Sequence, residues 1–494
     1  MDSEKYLKPT SRRDFLRQAS CAAVGTFALS NTIRDLRLIN AALAQGSFTD
    51  YKALVCVFLS GGNDANNWIV PTQNADYAPY AQIRGNLALP QSALLPLRTG
   101  PNASDPAYTD PDGHTFGFHP TCVEMQTLFG EGKLVPLLNA GSLVRPITRA
   151  EYLSGATGTR PPQLFSHSDQ VTQWQTSLPD RPPTTGWGGR LCDLLHDTAN
   201  LGGQISMSVS VNGTNTFEVG QLVNQYHVST TGAATLTGLT GARLQAVKDL
   251  LALNHVNLQR TAFADVSERA IATGDLLNNA IQSTAMATDT PPGTWVWNTP
   301  FPNTTLGNQL KMVARLIEAG PRSSSGSPPG FNMKRQIFFS SVGGYDTHTN
   351  QVTLTPNVNT TTGSHTNLLN EVSECLFAFQ RAMEQIGQSD KVTAFTASDF
   401  GRTFPTNSQG SDHGWGSHCM IMGGAINGRR TYGKIPTFAI NGPDDTGVGR
   451  WIPTTAVDQH AATLARWFGV SEGDIPVIFP NIGRFATSNL GFML

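Results

Sequence analysis

Widely separated segments of this chain repeat one plan: a run of strand-forming apolar residues, a tight turn, then an acid. KALVCVFLSGG leads to Asp64, RQIFFSSVGG leads to Asp346 and His348, and KVTAFTAS leads to Asp399. SDHGWGSH then adds Asp412, His413 and His418. Continuous apolar runs of this kind read as parallel strands buried on both faces. In an open α/β sheet, ligands bind at the carboxyl ends of such strands. Strands lying side by side would therefore gather these acids and histidines in one crevice. Carboxylates about 5 Å apart repel by roughly 3 kcal/mol per pair at an effective dielectric near 20. The cluster therefore needs a cation, or its members must lose their charge. Mixed carboxylate and imidazole donors suit a divalent metal, so one or two ions of zinc, magnesium, manganese or calcium are expected.

The rest of the chain supplies what such a sheet requires. Helical spacing of apolar residues over 120–129, 306–319, 367–386 and 455–468 alternates with strand patterns over 52–60, 134–138, 391–398 and 418–422. This predicts an α/β fold with a mostly parallel central sheet flanked by helices and interrupted by long loop insertions. The chain has 494 residues, more than one simple core usually organises. One large domain over 45–494 is expected, with the stretch 214–330 as the place for an insertion or cap. Residues 321–330, PRSSSGSPPG, read as a flexible connector.

The amino-terminal 1–44 reads as a targeting segment. Ser11-Arg12-Arg13-Asp14-Phe15-Leu16-Arg17 looks like a twin-arginine signal, followed by a short apolar stretch and by Ala42-Leu43-Ala44 as a cleavage site. The polar segment TIRDLRLIN between them leaves an uncleaved anchor as the alternative. The expected partner is the twin-arginine translocation machinery and the expected location is periplasmic or secreted. Net charge is −2 and charged residues are 14%. Without a basic patch, no nucleic-acid partner is expected. No apolar run reaches the ~20 residues of a stable membrane span. Six cysteines form no CxxC pair, which argues against a zinc–thiolate site and against a disulfide framework.

The candidate metal ligands are Asp64, Asp346, His348, Asp399, Asp412, His413 and His418. Each has a plainer reading: Asx residues form turns, and Asp412 in a Gly-rich loop can serve as a cap. Arg402, in SDFGRT, could grip a phosphate or sulfate oxygen, or simply pair with Asp399. Asn67, in GGNDANN, could donate to an anion. His167, in FSHSDQ, could act as general acid, or be an ordinary loop histidine. Ser177-Leu178-Pro179-Asp180-Arg181 fits the short pattern of sulfatases with an oxidised nucleophile, but it lies in a Pro-rich turn and reads as a decoy. Trp295, Trp297 and Phe301 read as lid or anchor aromatics.

In order, GGNDANNWIVP, FSHSDQ, GGYDTHTNQ, SDFGRT and SDHGWG resemble the exported bacterial proteins grouped as domain of unknown function 1501. That family is similar in pattern to the alkaline phosphatase and sulfatase superfamily, whose sheet carries metals at its strand ends. The resemblance implies an alkaline phosphatase-like fold. It matches Asp64 to the first-strand ligand, Asp346 and His348 to a middle pair, Asp399 to the acid of an Asp-His pair, and His413, with His418 as rival, to the late histidine. The chain departs from the pattern at Phe400, where a histidine ligand would stand. It also departs in lacking a Ser, Thr or Cys nucleophile soon after Asp64, which leaves direct attack by water or a distant hydroxyl such as Ser166 or Thr172. The resulting expectation is an exported metal-dependent hydrolase of small-molecule or glycan phosphate or sulfate esters. The alternative is a non-catalytic, metal-stabilised periplasmic or cell-surface binding protein.

Overall fold

Lys52–Leu59 (β1) is apolar and buried from Ala53 onward, so both of its faces must be covered by protein. The structure, a computed structural model, describes residues 48–233, 240–253, 257–284 and 298–494. The twin-arginine segment, Cys21, Trp295 and Trp297 lie outside these residues. A small antiparallel sheet follows β1: Ile69–Pro71 (β2), Leu95–Pro96 (β3) and Phe116–Phe118 (β4). The large sheet is completed by Leu134–Gly141 (β5), Ser208–Ser210 (β6), Tyr226–His227 (β7), Arg335–Val342 (β8), Val392–Ser398 (β9), Ser417–Gly423 (β10), Tyr432–Gly433 (β11) and Thr455–Ala456 (β12). Its order is β11–β5–β10–β9–β1–β8–β6–β7, with β12 also paired to β5.

The sheet is mostly parallel, and β10 is the exception. β1 pairs in parallel with β8 on one side and β9 on the other. Leu59 stands opposite both Val342 and Ser398, so these three strands finish level. β10 runs antiparallel to β9 and β5, with Ser417 opposite Ala140 near the end of β5. It therefore begins at the end where its neighbours stop.

Helices cover the sheet through apolar stripes at helical spacing. In the helix Ser364–Gln385, Leu369, Val372, Leu376, Phe379 and Met383 are buried. This helix packs on the helix Thr305–Ala319, and the helix Val457–Phe468 packs on β1 and β5. The stretch 214–330 supplies β7, the helix Thr305–Ala319, and two more exposed helices, Ala242–Leu251 and Leu258–Gln282. The five described cysteines, Cys56, Cys122, Cys192, Cys375 and Cys419, are free and buried.

The turn after β1 is set by two glycines in the left-handed region. At Gly61, φ is +119° and an added Cβ would lie 2.4 Å from the Asp346 backbone nitrogen. At Gly62, φ is +83° and a Cβ would meet the Phe400 ring at 2.4 Å. Only glycine lets this turn press against both neighbouring loops. Gly61→Ala is expected to lower stability by at least about 2 kcal/mol, from strain plus overpacking. Urea unfolding with an unchanged midpoint would contradict this account of the turn.

Candidate functional site

Because β8, β1 and β9 end level, the segments leaving them meet at one edge, and the loop entering β10 arrives at the same place. Asp346 and His348 follow β8, Asp399 follows β9, and Asp412 and His413 precede β10. A further contributor is His167, the first residue of the helix His167–Thr176, which Ser166 precedes at the N-cap.

The centre of the site is the half-exposed carboxylate of Asp346. His348 Nε2 lies 3.2 Å and His413 Nε2 3.4 Å from its Oδ1, and His167 Nε2 lies 3.6 Å from its Oδ2. His348 Nε2 and His413 Nε2 are 2.9 Å apart. Donor atoms of His167, Asp346 and His413 all lie within 4.8 Å of one another.

The opposite ring nitrogen of each histidine is anchored. His413 Nδ1 lies 2.8 Å from the Phe165 carbonyl oxygen, which can only accept, so Nδ1 carries the proton. His348 Nδ1 lies 2.8 Å from Asp412 Oδ1, and His167 Nδ1 lies 2.7 Å from Asp399 Oδ2. Carboxylate and carbonyl partners on Nδ1 are what fix metal-binding imidazoles with the Nε2 lone pair outward. Burial, together with the nearby Arg402 guanidinium, holds the His413 pKa below its ordinary value, which favours the neutral ligand form. Two Nε2 lone pairs facing each other at 2.9 Å require a proton or a cation between them. Tetrahedral coordination at 2.0–2.1 Å separates ligand atoms by about 3.3 Å, and the separations above bracket that edge. The donor set therefore fits a divalent cation.

Arg402 lies under this cluster with its side chain fully buried. Its Nη2 donates to Asp346 Oδ1 at 2.8 Å, while Nε and Nη1 have no hydrogen-bond partner among the described residues. Burial pushes the Asp346 pKa up, but Arg402, then His348 and His167, outweigh it and hold the carboxyl below its ordinary value. The pairing expected as the plain alternative, Arg402 with Asp399, gives way to one with Asp346.

Other sequence candidates are placed differently. Asp64 is fully buried and bound to Arg84, Gln351 and Asn66, so its oxygens are committed within the protein. Burial pushes its pKa up, but Arg84 and His365 outweigh burial and keep it lowered. Asn67 donates to the Leu87 carbonyl at 2.8 Å and accepts from Tyr80 Oη and Arg84 Nε, which uses its carboxamide away from any anion. Asp399 is buried behind His167 and accepts from the Gly61 N–H at 3.0 Å, so it orients a donor rather than facing the centre. Asp412 stands likewise behind His348, with Asn407 donating to it at 3.0 Å. His418, inside β10, is buried and accepts from the Asn139 N–H at 3.0 Å, and burial lowers its pKa to about 4.

Phe400 is buried with its ring 4.8 Å from both the His167 and His413 rings, which lie 4.4 Å from each other, so it backs the pair as the third ring of a triangle. Ser166 Oγ donates to Asp169 and Thr172 Oγ1 to the Ser168 carbonyl, so both hydroxyls make bonds local to their helix. Ser177 is the buried, left-handed cap of that helix, closed to substrate. Phe301 is partly buried in a loop beside the helix Ser364–Gln385. Sequence reasoning missed Arg84, Gln351 and the Phe165 carbonyl. A carbonyl leaves no side-chain signal, and Arg84 sits in an ordinary helix end.

Replacing Arg84 with Met leaves Asp64 buried without its counter-charge and is expected to cost about 3–5 kcal/mol. The folded pKa of Asp64 lies below its unfolded value, so the pair contributes fully above the ordinary carboxylate range. That contribution is lost as pH falls through the lowered folded pKa. Unfolding of wild type and Arg84→Met, followed from neutral to acid pH, should show the gap narrowing as Asp64 takes up a proton, first in the variant, where burial without Arg84 raises its pKa, and last in wild type. A constant gap would contradict the pairing.

Residues 51–448 match the model of a family described as protein of unknown function (DUF1501). No curated protein matches the chain. Among solved structures, the chain is similar to the C-terminal periplasmic domain of EcEptC from Escherichia coli in complex with Zn, at 10% identity and a TM-score of 0.34, over 86% of this chain and 85% of that one.

Proposed function

The chain belongs to the DUF1501 family of proteins of unknown function, and from its site we propose an exported metal-dependent hydrolase of phosphate or sulfate esters. One observation carries the reading: three imidazole Nε2 atoms face one half-exposed carboxylate, each with its Nδ1 anchored from behind. His167, Asp346 and His413 would hold the cation, with His348 beside them. A bound divalent cation supplies Lewis acidity, polarising an ester oxygen and lowering the pKa of water.

The chain's own residues do the remaining work. Asp399 and the Phe165 carbonyl keep His167 and His413 in the tautomer that presents Nε2. Arg402 offsets the charge of Asp346, so that an anionic ester meets a centre without excess negative charge. This role, holding the acid from below, replaces the direct grip on substrate that SDFGRT suggested. His348 is the residue placed to hold the proton for the departing oxygen. Burial raises the Asp412 pKa, but bonds from Asn407 and His348 outweigh it, so Asp412 stays ionised behind His348. With Asp64 committed to Arg84 and Phe400 standing where a further histidine ligand would be, the reading calls for one ion rather than two.

Export is part of the proposal and rests on the twin-arginine pattern at Arg12 and Arg13. Among the described residues no helix is long and apolar enough to cross a membrane. A small-molecule or glycan ester met outside the cytoplasm is the substrate class this implies.

A second reading is a non-catalytic, metal-stabilised periplasmic or cell-surface binding protein. It is favoured by a further protein donor, His348, whose Nε2 lies 3.2 Å from Asp346 Oδ1 and 2.9 Å from His413 Nε2 and would crowd the position beside the cation that a substrate needs open. Metal analysis with assays on an aryl phosphate and an aryl sulfate, with and without chelator, separates the two. The hydrolase reading expects chelator to abolish turnover. It expects Asp346→Ala to lower turnover by more than about 100-fold, beyond the 10–100-fold typical of outer-sphere changes. Full activity in Asp346→Ala would end that reading. A chelator-induced fall in melting temperature with no turnover on either ester would favour the binding protein.

A further inference from the structure

His413 is held by a closed ring of contacts that reaches beyond the residues around the cation. Its Nδ1–H donates to the Phe165 carbonyl at 2.8 Å. The ring of Phe165 lies under the Arg450 guanidinium, with Cζ 4.0 Å from the ring centroid. Arg450 Nε in turn donates to the backbone carbonyl of His413 at 2.7 Å. One guanidinium thus touches both the histidine's own backbone and the residue whose carbonyl holds its ring.

Both ends of this ring are set firmly. Phe165 sits at φ +72°, a region that a bulky residue adopts only when its surroundings impose it. Its N–H donates to Gln170 Oε1 at 2.5 Å, and its side chain packs against the buried group of Leu143, Trp415, Ile452, Ala456 and Phe485. Arg450 is presented by a loop organised by the buried Asp445, whose Oδ1 accepts from the Gly449 and Arg450 N–H groups at 2.7 and 3.1 Å. A planar cation this close to an aromatic face is attracted by the ring quadrupole, and together with the packing it offsets the strain of the Phe165 backbone.

We infer that Arg450, acting through Phe165, is a positioning residue for His413: it clamps the strained Phe165 backbone so that its carbonyl fixes His413 as the Nδ1–H tautomer with Nε2 turned to the ligand cluster. This rests on the metal-centre reading above, and the clamp itself is a statement about the metal-free protein as well. Among the described residues Arg450 bonds to neither Asp346 nor the other two histidines, so its effect on the cluster travels through His413 and Phe165.

The experiment uses the full chain with Arg450→Met and Arg450→Lys. Nitrogen-15 spectra of the metal-free protein should report the Nδ1–H tautomer for His413 in wild type and a tautomer mixture in both variants. Zinc titration should show at least a tenfold loss of affinity in both, since lysine keeps the charge but cannot lie flat on the ring. Wild-type zinc affinity together with an unchanged His413 spectrum in Arg450→Met would overturn the inference. Should Arg450→Met fail to fold, Phe165→Leu keeps the carbonyl and removes the stacked ring. It should show the same tautomer mixing, and an unchanged spectrum there would equally overturn the clamp. If wild type itself takes up no zinc, the metal reading fails, and the tautomer spectra alone decide the role of Arg450.

Discussion

The Asp64–Arg84 ion pair lies under the whole site, with both side chains at 0% exposure. Taking two charges out of water costs several kcal/mol per ion, and the mutual attraction offsets this only when remaining donors and acceptors are satisfied. Here they are. Arg84 also donates to Asn67 and to the carbonyls of Thr403 and Phe404, and Asp64 also accepts from Gln351 and Asn66. Through these bonds the turn after β1 is tied to the helix Asn74–Arg84, to the loop that follows Asp399, and to the segment that follows His348. The acid that begins as a candidate ligand serves as the floor on which the other loops are registered.

Above that floor, charge is arranged in layers. Asp399 is buried, Arg402 is buried, and Asp346 and the three histidines are partly open to solvent. Each buried group speaks to one exposed group: Asp399 to His167, Arg402 to Asp346. Acceptors behind the imidazoles dictate tautomers, and tautomers dictate where lone pairs point. The geometry of the cluster is therefore decided by groups that never face the crevice, which is how outer partners set the orientation and basicity of ligand histidines.

Much of this was legible from the chain alone. The apolar runs before Asp64, Asp346 and Asp399 did become adjacent strands ending level, because buried parallel strands announce themselves through unbroken apolar composition. The convergence of Asp346, His348 and His413 followed from that. What the chain concealed was the direction of each side chain. Asp64 and Asp346 occupy equivalent places after their strands, yet one meets Arg84 and the other meets three imidazoles, and that difference lies in segments folded in from elsewhere. His167 could not be linked to Asp399 because their contact spans 232 positions. The mostly parallel pattern likewise gave no hint that β10 runs the other way.

The unbridged thiols carry a consequence of their own. Burial pushes Cys375 and Cys419 up to about 12, and the other three are raised as well, so thiolate is scarce in the native state. Exchange chemistry needs thiolate and access, and once folded the five described cysteines offer neither. The vulnerability of these five thiols to air is thus confined to the interval before folding is complete, when they are exposed together and mispairing competes with collapse. Once folded, these five are covalently indifferent to their surroundings, and what they remain sensitive to is the order in which folding and oxidation occur.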